Sequence, residues 1–302
     1  MAPVIEVRGA IKRFGAIDAV NDVDLTIEAG EVFGLIGHNG AGKSTLFKML
    51  LGLIPATSGD IRINGSSVSG SQFREVRRRL GYLPENIVLY DNLSGLETLE
   101  FLASLKNSPR AECGAILERV GLTHAADRRV KTYSKGMRQR LGFAQALLGN
   151  PTLLFLDEPT NGLDPEAIRE FYRIVREQRD QGVTIVLTSH ILSEIQERVD
   201  RLAIMKNGRI QALGTVAALR EAVHLPLRFE LRIAPQSHAA LRRALTHIGS
   251  TTIETEGERM SVQCARETRM AVLAALSDLG NQITDLYIRE PSLEDVFLGY
   301  SG

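Results

Sequence analysis

The chain has 302 residues, and its 36 basic and 36 acidic side chains give a formal net charge of +0. A protein that binds nucleic acid usually carries an excess of Lys and Arg, so the composition argues against a nucleic-acid partner. The two cysteines, Cys113 and Cys264, have no His or Cys neighbours at metal-site spacing, which argues against a zinc or copper site and favours a reducing compartment. No apolar run approaches the ~18 residues of a membrane span, and the N-terminus lacks the apolar core of a secretory signal. The sequence therefore predicts a soluble or peripheral protein on the cytoplasmic side, with one large domain or a large and a small one.

The N-terminal part of the chain predicts strands around a glycine-rich loop. Short strands are predicted at residues 4–7 and 23–27, and the apolar segment at residues 31–36 predicts a buried parallel strand. A further strand at residues 60–63 is followed by Asn64-Gly65, a pair typical of a hairpin turn. We therefore expect a small antiparallel sheet beside a parallel strand.

The glycine-rich loop itself, GHNGAGKST at residues 37–45, fits the pattern G-x-x-x-x-G-K-[ST]. It lies between the apolar strand and a helix predicted over residues 45–53, which is the context of a phosphate-binding loop. Glycines allow successive backbone N–H groups to turn around a phosphate, and the helix N-terminus adds partial positive charge. We predict that Lys43 bridges the β- and γ-phosphates of a nucleoside triphosphate and that the Ser44 hydroxyl binds Mg²⁺. The predicted nucleotide-binding residues of the loop are Gly37, His38, Asn39, Gly40, Ala41, Gly42, Lys43, Ser44 and Thr45.

The middle of the chain predicts helices and then an alternation of strands and helices. Residues 93–122 are helical by pattern with a break at Ser108-Pro109, and Ser94 and Glu97 have the spacing of a capping box. From residue 150 onward, the predicted order is a strand in TLLFLDEP, a helix, and a strand in TIVLTSH. A helix at residues 191–199 and a strand at residues 201–205 are predicted to follow. This alternation is typical of a doubly wound α/β fold, whose chemistry lies at the carboxyl ends of its strands.

The C-terminal part has a different pattern. From residue 227 the predicted order is strand, helix, strand, strand, helix, strand, which indicates a small ferredoxin-like domain. An amphipathic turn is predicted at residues 291–300. The predicted domains are residues 1–220 and 221–302.

A second nucleotide motif, LLFLDEP, begins at residue 153. Its apolar residues predict a buried strand, and Asp157 emerges at the end of that strand to hold Mg²⁺ directly or through water. Glu158 follows, in a position to polarise a water molecule for attack on the γ-phosphate. An acidic turn after a strand is common by itself, but together with the loop at residues 37–45 it indicates a nucleotide hydrolase.

Between these two motifs lies YSKGMRQR, residues 133–140, which resembles the LSGGQxQR signature of the ATP-binding-cassette (ABC) ATPases. Ser134 and Gly136 occupy its key positions, whereas Lys135 and Met137 depart from it. The resemblance implies an α/β fold of the ABC type, a phosphate-loop ATPase with a mixed sheet core, an antiparallel β subdomain and a helical subdomain at about residues 86–145. The small C-terminal ferredoxin-like α+β domain would follow it.

The resemblance also implies roles for particular residues. Two chains would sandwich two ATP molecules head to tail, with Ser134 and Gly136 of one chain at the ATP of the other. Asp164, in NGLDP, looks like the D-loop aspartate near that seam. His190 looks like the switch histidine that bonds the γ-phosphate, although a histidine at a strand end is by itself more often an ordinary loop residue. Phe14 resembles the aromatic residue that stacks on adenine, with a core phenylalanine as the alternative.

One position departs from the family in a way that bears on the metal. The segment GYLPEN places Glu85 where most members have a glutamine whose carbonyl contacts Mg²⁺ and the attacking water. A carboxylate can still coordinate Mg²⁺, but it brings negative charge toward the γ-phosphate. The predicted metal ligands are therefore Ser44, Asp157 and Glu85, with their geometry left open.

Several longer stretches resemble one subgroup more closely. GYLPEN, LSGLETL, the run from residue 124 to 142, AQALLGNP and PSLEDVF look like the ATPase subunit of the transporter that matures the copper sites of nitrous oxide reductase. That resemblance implies a dimer on the cytoplasmic face of the inner membrane, beneath a membrane permease that docks on residues 86–110, with a periplasmic copper-site assembly protein as a further partner. The C-terminal domain would help to hold the dimer, and the substrate would be copper or a sulfur species.

Other functions stay open at this point. The first alternative is the ATPase of a drug, lipid or ion exporter, which would differ in its membrane partner. A second is a non-transport ABC ATPase that acts on ribosomes or DNA, which the single cassette and zero net charge disfavour. The C-terminal domain could also serve as a ligand sensor, an idea based on fold analogy alone.

Overall fold

The computed structural model describes residues 3–222, 226–249 and 251–289. The chain divides into two compact units, Met1–Val216 and Ala217–Gly302. The larger unit thus ends close to the predicted boundary at residue 220. The amphipathic turn predicted at residues 291–300 lies outside the described residues. Within the described part of the chain, no helix combines the length and the apolarity needed to cross a bilayer.

The elements of the larger unit follow the expected alternation. In chain order they are β1 (Ile5–Phe14), β2 (Ile17–Ile27), β3 (Val32–Ile36), α1 (Lys43–Leu50), β4 (Ser58–Ile63), β5 (Ser66–Ser67), α2 (Phe73–Arg78), β6 (Leu80–Leu83), α3 (Gly95–Lys106), α4 (Cys113–Arg119), α5 (Lys135–Leu147), β7 (Leu153–Leu156), α6 (Pro165–Asp180), β8 (Thr184–Ser189), α7 (Leu192–Ile195), β9 (Arg201–Lys206) and β10 (Arg209–Gly214).

The core of the larger unit is a six-stranded sheet in the order β10-β9-β3-β8-β7-β6. All its pairings are parallel except that of the edge strand β10 with β9. Every residue of β3, β7 and β8 is buried, as expected for strands covered on both faces. Because these strands are parallel neighbours, their carboxyl ends meet at one edge of the sheet. The loops that carry the predicted nucleotide motifs begin at this edge.

The antiparallel sheet, in the order β2-β1-β4-β5, confirms the predicted subdomain but not the predicted strand lengths. Residues 5–7 and 23–27 are parts of two long strands, β1 and β2, which form one hairpin, whereas residue 4 precedes β1. The prediction was too short because polar residues interrupt the alternation; in the structure Arg13 Nε lies 2.6 Å from Asp18 Oδ1 across the hairpin. Asn64 and Gly65 both have positive φ, 50° and 74°, which confirms the predicted tight turn.

The helical part of the larger unit contains α3, α4 and α5. The capping box at the start of α3 is confirmed: Ser94 Oγ accepts a hydrogen bond from Glu97 N at 3.1 Å, and Ser94 N donates to Glu97 Oε2 at 2.7 Å. The predicted break also holds, since α3 ends at Lys106 and α4 begins at Cys113. Helix α2 and strand β10 were not predicted from the sequence.

The helix predicted at residues 191–199 is wrong in length, because α7 spans only Leu192–Ile195. A tight turn follows α7, in which Arg198 N donates a hydrogen bond to Ile195 O at 2.8 Å. The chain turns because Asp200 faces the start of β3, where its Oδ2 accepts a hydrogen bond from Val32 N at 2.8 Å. This tertiary contact overrides the local helical pattern.

The smaller unit has the predicted order of elements. They are β11 (Leu227–Ile233), α9 (His238–Leu245), β12 (Thr252–Glu256), β13 (Arg259–Cys264), α10 (Arg269–Ser277) and β14 (Ile283–Arg289), and α8 (Val216–Ala222) begins at the boundary between the units. The strands form an antiparallel sheet in the order β12-β13-β11-β14. One face of β11 packs with α9 and α10 around Phe229, whereas the alternate residues Arg228, Glu230 and Arg232 face away from this core. The ferredoxin-like arrangement is therefore present.

A partly buried lysine joins the ends of two helices in the helical part. Lys106, the last residue of α3, donates a hydrogen bond from Nζ to Leu148 O, the C-cap of α5, at 2.6 Å. Burial lowers the pKa of Lys106 to about 8. The unfolded chain binds this proton more tightly than the folded chain, so stability rises as the pH increases from about 8 toward the ordinary lysine pKa.

We expect the apparent Tm of the wild type to gain about 2–4 °C relative to Lys106→Met when the pH is raised from about 8 to about 10. Thermal unfolding of both proteins at several pH values checks this difference. Lys131→Met, which removes an exposed lysine, serves as the control and should follow the wild-type curve. Parallel curves for the wild type and Lys106→Met would contradict the assignment.

Candidate functional site

The phosphate-loop segment is shaped by close backbone contacts. A Cβ atom on Gly37 would overlap the carbonyl oxygen of Met205, and one on Gly42 would overlap that of Ala19. Gly42 also has a φ of 105° and is the N-cap residue of α1. Glycine is therefore required at both positions, and the loop ends at a helix N-terminus as predicted.

Lys43, the first residue of α1, has a buried side chain that points back toward the loop. Its Nζ donates to Gly37 O and lies 3.4 Å from His38 O. The same ammonium lies 3.5 Å from Glu158 Oε1, and the two side chains are only 5% and 10% exposed. The structure therefore brings the lysine of the first motif together with the glutamate of the second.

Glu158 lies between two basic side chains in a strained backbone conformation. Its φ of 46° falls in the left-handed region, which is costly for a residue with a Cβ atom. Its second carboxylate oxygen, Oε2, is 2.8 Å from His190 Nδ1. Lys43, Glu158 and His190 thus form one chain of charged and polar contacts at the carboxyl ends of β3, β7 and β8.

Thr188, which sequence analysis did not single out, connects the two acidic residues. Its Oγ1 donates to Asp157 Oδ1 at 2.6 Å and accepts a hydrogen bond from Glu158 N at 2.8 Å. The available signal in the sequence was a threonine two residues before His190, within the strand TIVLTS, and the structure shows it to be fully buried. Burial raises the pKa of Asp157, the hydrogen bond from Thr188 opposes this, and the negative charge of Glu85 raises the pKa further.

The site fits Mg²⁺ only together with a phosphate ligand. Among the described residues, no group of three or more His, Cys, Asp or Glu side chains could hold a metal ion. Mg²⁺ usually keeps several waters and takes one or two carboxylates plus substrate phosphates. Asp157 at the end of β7 and Ser44 in the first turn of α1 carry oxygen atoms that suit such a site, and Glu85 is exposed beside Asp157.

The remaining predicted residues lie outside this cluster. Phe14, at the end of β1, is 51% exposed with Lys12 Nζ 5.1 Å from its ring centroid, which rules out the alternative of a core phenylalanine. Ser134 is the N-cap of α5 and accepts a hydrogen bond from Met137 N, and Asp164 caps α6 in the same way. Within the part of the chain that the structure describes, no hydrogen bond or ion pair joins Ser134 or Asp164 to residues 37–45.

Comparisons with known proteins decide the family. A sequence model of the family described as "ABC transporter" matches residues 20–161. The daunorubicin/doxorubicin resistance ATP-binding protein DrrA of Streptomyces peucetius is 34% identical over 306 residues, which cover 99% of this chain and 92% of DrrA. This chain belongs to the ABC transporter family. It is an ATP-binding subunit and an ATPase, so the family suggested by the signature is confirmed.

Two further proteins are similar to this ABC ATPase over much of its length. The uncharacterized ABC transporter ATP-binding protein YhcH of Bacillus subtilis is 34% identical over 304 residues, which cover 100% of this chain and 97% of YhcH. A dimeric structure of the ATP-binding cassette MJ0796 in a post-hydrolysis state, bound to ADP and Pi, matches with a TM-score of 0.65 at 23% identity. That match covers 70% of this ABC ATPase and 98% of MJ0796, and it shows the shared fold.

Proposed function

We propose that this chain powers an exporter of drug-like compounds. The observation that carries the proposal is its similarity to DrrA, a drug-resistance ATP-binding protein, along nearly the whole chain and not only within the cassette. The drug, lipid or ion exporter, first an alternative, therefore becomes the favoured function. The maturation of nitrous oxide reductase stays a prediction that rests on stretches such as GYLPEN and PSLEDVF, since neither DrrA nor YhcH is named for copper or for that enzyme.

The proposed site binds ATP at the edge of the sheet. The phosphates accept hydrogen bonds from the backbone N–H groups of residues 37–45. Lys43 gives up its contacts with Gly37 O and Glu158 and binds the β- and γ-phosphate oxygens instead. Adenine stacks on Phe14, whose exposure supports this role. Ser44, Asp157 and Glu85 would hold Mg²⁺, which neutralises charge on the β- and γ-phosphate oxygens when bound.

Hydrolysis depends on Glu158 and His190. Released from Lys43, the Glu158 carboxylate accepts a hydrogen bond from the attacking water and orients it in line with the γ-phosphate. His190 lies against the same carboxylate and donates to the γ-phosphate. The 2.8 Å contact between Glu158 and His190 supports a joint role for the two residues.

A second copy of this chain completes each proposed site. The N-terminus of α5 presents Ser134 and Gly136, and Ser134 is exposed, as a residue that contacts the ATP of a partner must be. Asp164 is also exposed, and in the proposed dimer it faces the same seam. The dimeric state of the MJ0796 cassette supports the pairing of two copies as a proposal for the present chain. Closure of the dimer would then gate hydrolysis.

A membrane permease is the other proposed partner, and an exposed apolar surface supports the place of docking. We name Val88, Tyr90, Phe101 and Leu105 the helical patch. Their exposed fractions are 93%, 57%, 41% and 68%, and the rings of Tyr90 and Phe101 meet edge to face at 5.7 Å. Exposed apolar clusters of this kind mark interaction sites. We propose that a cytoplasmic helix of the permease binds the helical patch at the cytoplasmic face of the inner membrane.

Replacing Leu105 with glutamate should weaken permease binding by about tenfold or more, because a charge then faces the apolar contact. Recovery of the permease with the tagged ATPase measures this effect, and ATP hydrolysis by the isolated subunit should not change. Leu53→Glu provides the control, since Leu53 is 55% exposed but lies outside the helical patch. Equal permease recovery for Leu105→Glu and the wild type would remove the helical patch as the docking site.

Two measurements test the proposed function. Tagged Glu158→Gln is incubated with ATP and Mg²⁺ in solubilised host membranes, and the proteins that co-purify are identified. Deletion of the gene is followed by measurement of the intracellular accumulation of doxorubicin. A co-purified permease with raised accumulation supports the exporter. A periplasmic copper-site assembly protein would instead support nitrous oxide reductase maturation, and ribosomes or DNA without a membrane protein would overturn a role in transport.

A further inference from the structure

A buried glutamine ties the signature helix to the turn that follows Glu158. Gln139 lies in α5, one turn beyond Ser134, and is 6% exposed. Its Nε2 donates a hydrogen bond to Pro159 O at 3.0 Å. A buried side-chain amide with its own backbone acceptor forms a rigid link between two elements. The two elements it joins are the N-terminal part of α5 and the acidic turn at the end of β7.

The acidic turn needs such support. Glu158 keeps its left-handed φ of 46° only if its surroundings hold the backbone on both sides. On one side, Thr188 Oγ1 accepts the hydrogen bond from Glu158 N. On the other side, Gln139 fixes the carbonyl group of the next residue, Pro159. The direction of the Glu158 side chain therefore depends on the position of α5.

We propose that Gln139 is a positioning residue that couples the two ATP sites of the dimer. The inference rests on the proposed function, in which Ser134 at the start of α5 contacts the ATP held by the partner. Five residues of helix span only about 7.5 Å, so a helix moves as one body between Ser134 and Gln139. ATP bound by one copy thus sets the carboxylate that acts on the ATP of the other copy. This link should add to the cooperativity in ATP that closure of the dimer gives by itself.

The first test is Gln139→Met, which keeps the length of the side chain but removes the donor. We expect kcat to fall about threefold to tenfold, the ordinary effect of one hydrogen bond, with ATP binding to the subunit unchanged. The Hill coefficient for ATP should fall below the wild-type value, toward the value that closure of the dimer gives by itself. In the Glu158→Gln background, the same substitution should leave ATP affinity as it is, since Gln139 acts through Glu158.

A matched control separates coupling from a general loss of stability. Gln178, in α6, is 5% exposed, and its side-chain amide lies 2.9 Å from Gln181 Oε1, away from the acidic turn. Gln178→Met removes an equally buried amide, so it should change Tm but not the Hill coefficient. If Gln178→Met lowered the Hill coefficient to the same extent, or if Gln139→Met kept the wild-type value, the coupling role would be overturned.

A second variant keeps the test decisive if Gln139→Met folds poorly. The carboxylate of Gln139→Glu cannot donate to Pro159 O, but the protonated acid can, and burial favours the protonated form. The Hill coefficient should therefore lie below the wild-type value at about pH 8.5 and return toward it at about pH 6, each compared with the wild type at the same pH. A Hill coefficient that does not depend on pH in this variant would contradict the proposal. The proposed exporter function fails separately, if no permease co-purifies with Glu158→Gln and deletion of the gene leaves the accumulation of doxorubicin unchanged.

Discussion

Glu158→Gln is expected to lower kcat for ATP hydrolysis by about 10²–10⁴-fold while the subunit still binds ATP. The amide keeps the size of the side chain but cannot accept the proton of the attacking water. The substitution also removes the negative charge of Glu158, which Lys43 and His190 contact. That charge lies next to the expected position of the γ-phosphate. ATP should therefore hold the variant as a closed dimer that does not open through hydrolysis.

Phosphate release and size-exclusion chromatography with ATP and Mg²⁺ check the two parts of this expectation. Glu118→Gln is the matched control, because Glu118 is an exposed glutamate of the same unit, on α4. It should behave as the wild type in both assays. Hydrolysis by Glu158→Gln at near the wild-type rate would show that another group activates the water.

Lys43→Met is expected to weaken ATP binding by about 10- to 100-fold, the loss of a charged hydrogen bond to phosphate. It should also destabilise the protein, because Glu158 then lacks the buried cation 3.5 Å from its carboxylate. Breaking one side of a buried ion pair costs about 3–5 kcal/mol. His190 remains beside Glu158, so the observed loss should lie toward the lower end of that range.

The double variant Lys43→Met/Glu158→Gln separates the two effects of this substitution. Its Tm should recover toward the wild-type value because no unpaired buried carboxylate remains, whereas ATP binding should stay weak. Lys48→Met, which removes an exposed lysine of the same helix, is the control for the loss of a positive charge. If Lys43→Met bound ATP as tightly as the wild type, the assignment of the phosphate loop would be wrong.

Local sequence patterns were enough to predict most of the fold and of the candidate site. The loop at residues 37–45, the acidic pair Asp157 and Glu158, and the Ser94 capping box are each encoded within a few neighbouring residues. The strand and helix order of the C-terminal unit follows from hydrophobic periodicity in the same way. These features were therefore accessible without coordinates.

Features that depend on tertiary contacts could not be predicted from the sequence. Thr188 and Gln139 reach the acidic turn from elements that are distant in sequence, and nothing in their own neighbourhoods indicates the partner. The true end of α7 is set by the contact of Asp200 with β3, and the length of β1 by cross-strand partners in β2. In each case a long-range hydrogen bond or ion pair overrode the local propensity.

The contacts of Lys43 have a consequence for the end of the catalytic cycle. In the proposed site, Gly37 O and the Glu158 carboxylate compete with the phosphates of ATP for the Lys43 ammonium. The free energy of ATP binding then includes the loss of the contacts that Lys43 makes with the protein. ATP therefore binds more weakly than the phosphate contacts alone would predict. Once the γ-phosphate has been cleaved, ADP offers fewer oxygens, and the balance shifts back toward the protein's own acceptors. The same ion pair that ATP must displace thereby speeds the departure of the product.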